Sequence, residues 1–158
     1  MLRQIVATTY VVDQDKILMI FHRKLNKWLP PGGHVDPNEA PSEAAIREVF
    51  EETGYDIELV SDEKVWVQRW NAGSLPRPYM CLLEEIPVHN GSPAHQHIDF
   101  IYLGRLVGGD AKINEREVQS MRWFTLEEVD ALQSDVEIFE ETQQVIRKIL
   151  EQEAFKYA

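Results

Sequence analysis

The alternation of apolar and polar positions predicts a β-sheet that begins at the start of the chain. Residues 3–12 (RQIVATTYVV) and 16–22 (KILMIFH) are rich in β-branched and apolar side chains, which favour strands. The polar residues 13–15 (DQD) between them are typical of a turn, so the two runs predict a β-hairpin. Further strands are predicted over residues 55–60, 64–70, 79–86, 97–107 and 119–124.

Three other segments show helical patterns. Residues 41–53 (PSEAAIREVFEET) begin with Pro41, which suits a first turn, and precede Gly54, which suits the left-handed residue after a helix. A short helix is predicted over residues 126–132 and a longer one over residues 135–156. The longer helix carries an apolar stripe of Ile138, Phe139, Val145, Ile146, Ile149 and Leu150. Strands interspersed with a few helices predict an α/β fold in which helices pack on a mixed sheet.

The segment before the first helix is dense in proline and glycine. Residues 28–40 (WLPPGGHVDPNEA) therefore predict a structured loop. No internal repeat, low-complexity linker or domain boundary interrupts the chain, and 158 residues suit one domain of ordinary size. We therefore expect a single domain over residues 1–158.

The predicted helix over residues 41–53 has two unlike faces. At about 100° per residue, Glu48, Glu51 and Glu52 lie within an arc of roughly 100°, which we expect to be open to solvent. The opposite side, which we expect to pack on the sheet, holds Ile46, Val49, Phe50 and Thr53. Like charges one turn apart cost a helix about 0.2–0.5 kcal/mol per pair, and Arg47 alone cannot neutralise three acids.

A divalent cation would relieve this repulsion. Mg²⁺ commonly binds one or two carboxylates together with the phosphates of a substrate. Gly32 and Gly33, just before the helix, allow the backbone to approach a ligand closely. A solvated acidic helix face is the alternative interpretation of the three glutamates.

The residues around this helix fit a longer motif. Its fixed positions are Gly33, Glu39, Arg47-Glu48-Val49, Glu51-Glu52, Gly54 and Tyr55. They resemble the Nudix box, G-x5-E-x7-R-E-U-x-E-E-x-G-U, in which U is an aliphatic residue. The spacing fits throughout, and Tyr55 in the last aliphatic position is the one departure. The resemblance implies a Nudix α/β/α sandwich, whose mixed sheet is flanked by helices that include the Nudix helix.

The resemblance also implies an activity and a set of site residues. Nudix hydrolases cleave nucleoside diphosphates linked to another moiety, and they use Mg²⁺ or Mn²⁺. The metal ligands would be Glu48, Glu51, Glu52 and the carbonyl of Gly33. Arg47 would hold the glutamates in place by charge-assisted hydrogen bonds, and Glu39 would support the loop before the helix. Metal ions in such a site neutralise the diphosphate, lower the pKa of a bound water and align the attacking and leaving oxygens.

Further site residues are predicted outside the box. In similar proteins an acid shortly before a Trp-Phe pair acts as a metal ligand or general base, which points to Glu117 and, as second choice, Glu115. Arg23, at the end of the second predicted strand, resembles a position that often contacts substrate phosphate, and Lys27 is a second candidate. Plain surface charge is the alternative for all four residues.

Histidine and aromatic residues form two less specific groups. His95, His97 and Asp99 share one face of a predicted strand, so they form a zinc site, line the substrate pocket or lie on a polar sheet face. Four aromatic residues are candidates for stacking on a base, with a place in the core as the alternative. They are Trp28, Trp66, Trp70 and Tyr79.

Charge narrows the choice of partner. The formal net charge is −11, and residues 36–56 and 126–158 each carry −6, so the rest of the chain is near neutral. The first block is the predicted metal site, and the second is interpreted as a solvated face opposite the apolar stripe. Excess acid argues against a protein that coats nucleic acid or an anionic membrane. Arg23, Lys27, Arg69 and Arg77 remain for phosphate contacts, so we expect a small phosphorylated nucleotide as partner.

Cysteine usage and hydropathy bear on the compartment. A single cysteine, Cys81, excludes an internal disulfide framework and suits a reducing environment. The first residues lack the apolar run of a signal peptide, and no stretch approaches the roughly 20 apolar residues of a membrane helix. We expect a cytoplasmic protein. A homodimer stays open, because Nudix proteins are often dimers.

The motif leaves the substrate open. Some Nudix subgroups carry a diagnostic Pro or Tyr about sixteen residues beyond the box, where this chain has Asn71, and the signature of dinucleotide-coenzyme hydrolases is absent. The short chain is most similar to the house-cleaning type that acts on nucleoside triphosphates. Nucleoside diphosphate sugars, RNA 5′ ends and a non-catalytic nucleotide sensor remain as alternatives. An isopentenyl diphosphate isomerase would need a cysteine before the box, whereas Cys81 lies after it.

Overall fold

The structure, a computed structural model, describes residues 1–152. Within this range the chain forms eight strands and three helices. The strands are β1 (Arg3–Asp13), β2 (Lys16–His22), β3 (Lys27–Leu29), β4 (Gly32–His34), β5 (Tyr55–Val60), β6 (Met80–Ile86), β7 (His95–Gly109) and β8 (Val118–Thr125). The helices are α1 (Pro41–Thr53), α2 (Leu126–Asp130) and α3 (Glu140–Gln152).

All eight strands join one mixed sheet. Its main path runs β3-β2-β1-β7-β5, while β4 pairs with β1, β6 with β7 and β8 with β2. The β1–β7 pair is parallel, and the other pairs are antiparallel. β1 pairs with β2 only at Val12 and Asp13, and its earlier residues Val6 to Thr8 pair with β4. β4 thus fills the gap where β1 and β2 diverge, which places Gly32 and Gly33 beside the central strand.

Helices cover both faces of the sheet. Val11 packs against Val49 of α1, whereas its neighbour Val12 lies in a cluster with Ile146 of α3 on the opposite face. Successive strand residues point to opposite faces, so both sides of β1 are apolar and buried. The result is the predicted α/β/α sandwich.

Two segments between elements differ from the predictions. The proline-rich loop over residues 28–40 contains the short strands β3 and β4, which were not predicted. Residues 64–70, predicted as a strand, contain only an isolated bridge between Gln68 and Gly73. The valines and tryptophans of this segment are exposed, so its apolar composition reflects surface side chains and not a buried strand.

The last helix is shorter than predicted. α3 begins at Glu140 and not at residue 135, because Asp135 has a φ of 61° and interrupts the helical path. Ile138 is nevertheless fully buried, since the segment before α3 pairs with the sheet through a hydrogen bond from the Trp28 N–H to the Glu137 carbonyl. The predicted end of the helix, residues 153–156, lies outside the described residues.

Candidate active site

Helix α1 is fixed at both ends by local interactions. Pro41 occupies its first turn, and the Glu43 side chain accepts a hydrogen bond of 2.9 Å from the Ala40 N–H. Gly54 ends the helix with a φ of 79°, and its N–H donates to the Phe50 carbonyl at 2.8 Å. An L side chain rarely adopts this conformation, so the glycine fixes the point where the chain leaves the helix.

The side of α1 that packs on the sheet differs from the predicted one. The buried residues are Ser42, Ala44, Ala45, Val49, Glu52 and Thr53. Ile46 and Phe50, which we expected to pack on the sheet, are 40% and 53% exposed. Small alanines allow α1 to lie close to Ala7 of β1, and this rotates Glu52 into the interior.

Arg47 joins the glutamates of the motif to the loop before the helix. Its Nε and Nη2 donate to the two carboxylate oxygens of Glu39 at 2.8 and 3.0 Å. Its Nη1 donates to Glu48 at 2.9 Å and to Glu51 at 3.1 Å, and Nη2 also donates to the His34 carbonyl at 3.0 Å. Hydrogen bonding to Arg47 lowers the pKa of Glu39. The guanidinium therefore holds three carboxylates and one backbone carbonyl together.

Glu52 is the most buried acid of the motif, with only 2% of its surface exposed. One of its oxygens accepts a hydrogen bond of 2.7 Å from the Gly32 N–H. Burial raises the pKa of Glu52 to about 9 despite this bond, and the charges of Glu48, Glu117 and Glu51 raise it further. Burial also raises the pKa of Glu48, although Arg47 opposes the shift. These carboxylates are crowded together with too little positive charge.

Two glycines of β4 allow close approach to neighbouring groups. A Cβ on Gly33 would lie 2.6 Å from the carboxyl group of Glu48, and a Cβ on Gly32 would lie 2.6 Å from the Ala7 carbonyl oxygen. At Gly32 the clash would fall on the backbone of β1, whereas at Gly33 it would fall on the movable end of the Glu48 side chain. Gly32 therefore allows β4 to pair closely with β1, and Gly33 leaves Glu48 its position beside β4.

Of the two acids predicted near the Trp-Phe pair, the structure brings Glu117 to the site. The Glu117 N–H donates to the Asn114 carbonyl at 3.1 Å, and the Asn114 N–H donates to the Glu52 carbonyl at 3.3 Å. The charge of Glu117 contributes to the raised pKa of both Glu48 and Glu52. The carbonyl of Glu115 instead accepts a hydrogen bond of 2.7 Å from Arg23 Nε, and the Arg23 N–H donates to the Glu117 carbonyl at 3.1 Å. Arg23 therefore lies beside Glu117. Lys27 has its ammonium 5.0 Å from the ring centroid of Phe139.

The carboxylates of α1 suit a hard divalent cation, although they are not arranged as a complete metal-binding site. In residues 1–152 no three His, Cys, Asp or Glu side chains are arranged to hold a metal ion. Glu48 and Glu51 are bound to Arg47, and Glu52 is bound to Gly32. Clustered carboxylate oxygens are nevertheless the ligands that Mg²⁺ prefers, and a cation would offset the repulsion that raises their pKa values.

The predicted group of His95, His97 and Asp99 divides in the structure. The Nε2 atoms of His95 and His97 are 3.2 Å apart, and the His97 ring packs edge-on against His34 at 5.3 Å between centroids. Asp99 lies instead beside Glu84 of β6. The three residues therefore form no zinc site. Sequence reasoning missed His34 and Glu84, because only the strand register brings them to this face.

The four aromatic candidates have different surroundings. Trp28 packs edge-on against Phe21 and Phe124, at centroid distances of 5.3 and 4.9 Å. Tyr79 packs against the core cluster under α3. Trp66 and Trp70 are exposed in the segment between β5 and β6. Trp28 is thus partly buried against the core.

Comparison with known proteins agrees with this geometry. Residues 2–142 match the NUDIX domain family. A crystal structure of a NUDIX-family hydrolase from Clostridium perfringens superimposes with a TM-score of 0.76 at 27% identity, over 96% of this chain and 98% of that one. The chain therefore belongs to the NUDIX domain family.

Two curated relatives carry provisional names. One, an 8-oxo-dGTP diphosphatase of Bacillus subtilis (strain 168), is 29% identical over 70% of this chain and 58% of its own length. The other, a DHNTP pyrophosphohydrolase of Lactococcus lactis subsp. cremoris (strain MG1363), is 32% identical over 71% of this chain and 60% of its own length. The chain thus spans about three fifths of these relatives. The predicted family, fold and class of domain, a Nudix hydrolase, are confirmed.

One further prediction concerns membranes. Among residues 1–152, no helix has both the length and the apolar character that crossing a bilayer requires.

Proposed function

We propose that this chain is a divalent-metal-dependent pyrophosphohydrolase that cleaves a diphosphate linkage in a nucleoside triphosphate. One observation supports this above all. Glu48, Glu51 and Glu52 are gathered on one side of α1 with Glu117 nearby, and burial together with the charges of the other three raises the pKa of Glu52 to about 9. Clustered carboxylate oxygens of this kind are the ligands that hard divalent cations such as Mg²⁺ prefer.

Each residue then has a defined part. Glu48, Glu51, Glu52 and the Gly33 carbonyl would hold Mg²⁺ or Mn²⁺, which supplies charge neutralisation of the diphosphate and activation of water. Arg47 positions Glu48 and Glu51, and the Gly32 N–H positions Glu52. Glu117 acts as the general base, because it lies beside these carboxylates without being bound to Arg47.

Substrate phosphate is held by cationic side chains at the edge of the site. Arg23 is the first candidate, because its hydrogen bond to the Glu115 carbonyl keeps the guanidinium next to Glu117. Lys27 is the second. The chain's acidity excludes neither, since both lie outside the two acidic blocks.

The relatives support a small nucleotide as substrate. Two of them are named for activity on 8-oxo-dGTP and DHNTP. An RNA pyrophosphohydrolase of Bartonella henselae is 48% identical, but over only 30% of this chain. Nucleoside diphosphate sugars and RNA 5′ ends therefore stay in the test as rival substrates.

A cytoplasmic location remains part of the proposal, on the ground that Cys81 is an exposed free thiol. The single domain over residues 1–158 and the homodimer stay predictions.

A substrate panel tests the proposal. Nucleoside triphosphates, nucleoside diphosphate sugars and a triphosphorylated RNA oligomer are each incubated with Mg²⁺, Mn²⁺ or EDTA, and the released phosphate or pyrophosphate is measured. We expect metal-dependent release from at least one triphosphate and none in EDTA. Binding of nucleotides without turnover of any would favour a sensor. Release from sugar nucleotides or RNA alone would overturn the assignment of substrate.

A further inference from the structure

Three histidines lie together on the sheet, apart from the carboxylates of α1. His95 and His97 are two residues apart on β7, so their side chains share one face, and their Nε2 atoms are 3.2 Å apart. His34 of β4 packs edge-on against His97, with 5.3 Å between the ring centroids. Gln4 of β1 lies between the two strands, since it is the direct partner of His97 and its Oε1 is 3.0 Å from His34 Nε2. We call His34, His95 and His97 the histidine cluster.

The backbone determines which ring nitrogen of His95 carries the proton. Its Nδ1 lies 3.0 Å from the carbonyl oxygen of Pro93, and a carbonyl only accepts, so Nδ1 is the protonated nitrogen. In the neutral ring, Nε2 then presents a lone pair toward His97. Histidines that bind metals almost always donate their other N–H to a carbonyl or carboxylate in this way, which fixes the tautomer and the ring orientation. His95 is thus oriented as a metal-binding histidine is.

His97 can present a second lone pair. Burial, together with the nearby His34 and His95, lowers the pKa of His97 to about 4, so its ring is neutral at neutral pH. In the tautomer that makes the observed hydrogen bond, His97 donates its Nε2 proton to His95. In the other tautomer the proton is on Nδ1, and Nε2 is free to bind a cation. A cation can therefore replace the proton between the two rings.

The separation of the two Nε2 atoms matches the spacing of ligands around a transition metal. Zn²⁺ binds histidine nitrogens at about 2.0–2.1 Å, usually in tetrahedral geometry, so two such nitrogens on one ion are about 3.3 Å apart. The Nε2 atoms of His95 and His97 are 3.2 Å apart. A rotation of the rings that directs both lone pairs at one ion therefore needs no movement of the strand.

The histidine cluster is open to solvent and differs chemically from the carboxylates of α1. His95 and His97 are half-buried, and His34 is exposed. Within residues 1–152 no third His, Cys, Asp or Glu side chain is arranged to complete the coordination of an ion, so water would fill its remaining positions. Imidazole suits zinc, copper and nickel, whereas Mg²⁺ prefers oxygen ligands. The two groups of side chains therefore favour different ions.

We propose that His95 and His97 form a binding site for a late first-row transition-metal ion such as Zn²⁺, separate from the carboxylates of α1. Asp99, which shares their strand face, takes no part, because it is buried beside Glu84. The ion joins the first residues of β7 through the two Nε2 atoms. This inference does not depend on the proposed hydrolysis, since neither the substrate nor Mg²⁺ binds through these histidines.

Nuclear magnetic resonance of the wild type tests the ligands directly. The Nε2 resonances of the histidine side chains are recorded in ¹⁵N-labelled protein during a titration with Zn²⁺. We expect the resonances of His95 and His97 to shift together, because both nitrogens exchange a proton or a lone pair for the ion. His89, exposed between β6 and β7, should not shift with them and is the internal control.

Calorimetric titration with Zn²⁺ compares the variants. His95→Gln and His97→Gln should each bind Zn²⁺ at this site at least about tenfold more weakly than the wild type, because the loss of even an outer partner of a metal ligand costs about 10–100-fold in affinity. His89→Gln is the matched control and should keep the wild-type affinity. Glu52→Gln should also keep this binding event, since its side chain belongs to the other site. Melting temperatures show which variants fold.

Three results would overturn the inference. They are no binding of Zn²⁺ to the wild type, wild-type affinity in a folded His95→Gln protein, and Nε2 resonances of His95 and His97 that do not shift. Loss of the Zn²⁺ binding event in Glu52→Gln would likewise overturn it, because the ion would then lie at the carboxylates of α1. The resonance measurement uses the wild type, so it decides the question even if a variant does not fold.

Discussion

Gly33 shows how one missing side chain shapes the candidate site. A Cβ there would lie 2.6 Å from the carboxyl group of Glu48. This group is the far end of a flexible side chain, so the carboxyl group would move before the backbone does. We predict that Gly33→Ala lowers the metal-dependent rate by about tenfold or more, because small misplacements of catalytic groups are costly. The melting temperature should change little. Activity assays and thermal unfolding measure the two effects.

Gly108→Ala is the control for this substitution. A Cβ at Gly108 would meet its nearest neighbour only at 3.8 Å, an ordinary contact. Wild-type activity in Gly33→Ala would show that Glu48 can bind the metal from another position. The role proposed for Gly33 would then be wrong.

Glu52 gives a second residue-scale prediction. Glu52→Gln preserves the shape and an oxygen that can accept from the Gly32 N–H, but the amide cannot ionise to bind a cation. We expect the rate with Mg²⁺ to fall by at least about 100-fold, since even groups that only support metal ligands are worth 10–100-fold. Stability should hold, because a group whose pKa is raised by burial is easily replaced by a neutral one. Glu58→Gln, at an exposed position of β5, serves as the control in the same kinetic and thermal assays.

At the scale of elements, local signals predicted α1 well and its orientation poorly. Pro41 and Gly54 fixed the ends of the helix, because backbone preferences act within one turn. The packed side depended on Ala44 and Ala45 lying against Ala7, a contact between distant parts of the chain. Helical periodicity alone favoured Ile46 and Phe50 as core residues. It therefore could not show that Glu52 is buried and Phe50 exposed.

Contacts between distant parts of the chain also explain the other differences between the predicted and observed elements. β3 and β4 are each three residues long and exist because β1 and β2 diverge, which no local pattern records. Asp135 breaks the helical path through a positive φ that its sequence context does not reveal. The clustering of the box glutamates around Arg47 was predictable because one helix fixes their spacing. Glu84 was not, since it meets Asp99 only through the register of β6 with β7.

Arg47 links two elements, and its substitution tests that link. Arg47→Lys keeps the positive charge but loses the planar group that binds Glu39 through two hydrogen bonds. We expect a loss of about 1–3 kcal/mol in the free energy of unfolding, measured in urea, and a fall in rate of about 10–100-fold. Arg105→Lys, in an exposed ion pair with Glu58, should change neither. If Arg47→Lys also changed neither the free energy of unfolding nor the rate, charge alone would matter at position 47.

At the scale of the whole molecule, the acidity has two different consequences. Exposed acids such as those of α3 contribute to the net charge of −11 and to self-repulsion. Burial instead raises the pKa values of the acids Glu52, Glu84 and Asp99, so it disfavours their charged forms. Mg²⁺ that binds the carboxylates of α1 in the folded state should raise the melting temperature once its concentration exceeds the dissociation constant of the site, by mass action. Glu52→Gln should reduce this increase, and an unchanged increase would contradict the assignment of the metal ligands.

The raised pKa of Glu84 also predicts how stability depends on pH. Glu84 has a pKa of about 9 in the folded protein against an ordinary value of 4.5, so between these values the folded state binds a proton that the unfolded state has lost. The free energy of unfolding should accordingly fall as the pH rises from 7 to 9. Burial lowers the pKa of His97 to about 4, which has the opposite effect, but only below about pH 6.5, where unfolded histidine titrates.

Urea unfolding at pH 7, 8 and 9 in the absence of divalent metal measures this dependence. Glu84→Gln removes the titrating group while keeping a donor to Asp99, so its stability should fall less steeply with pH than that of the wild type. Glu85→Gln, on the exposed face of the same strand, should keep the wild-type slope. A stability that rises from pH 7 to 9, or equal slopes in the wild type and Glu84→Gln, would show that Glu84 is already ionised in the folded protein.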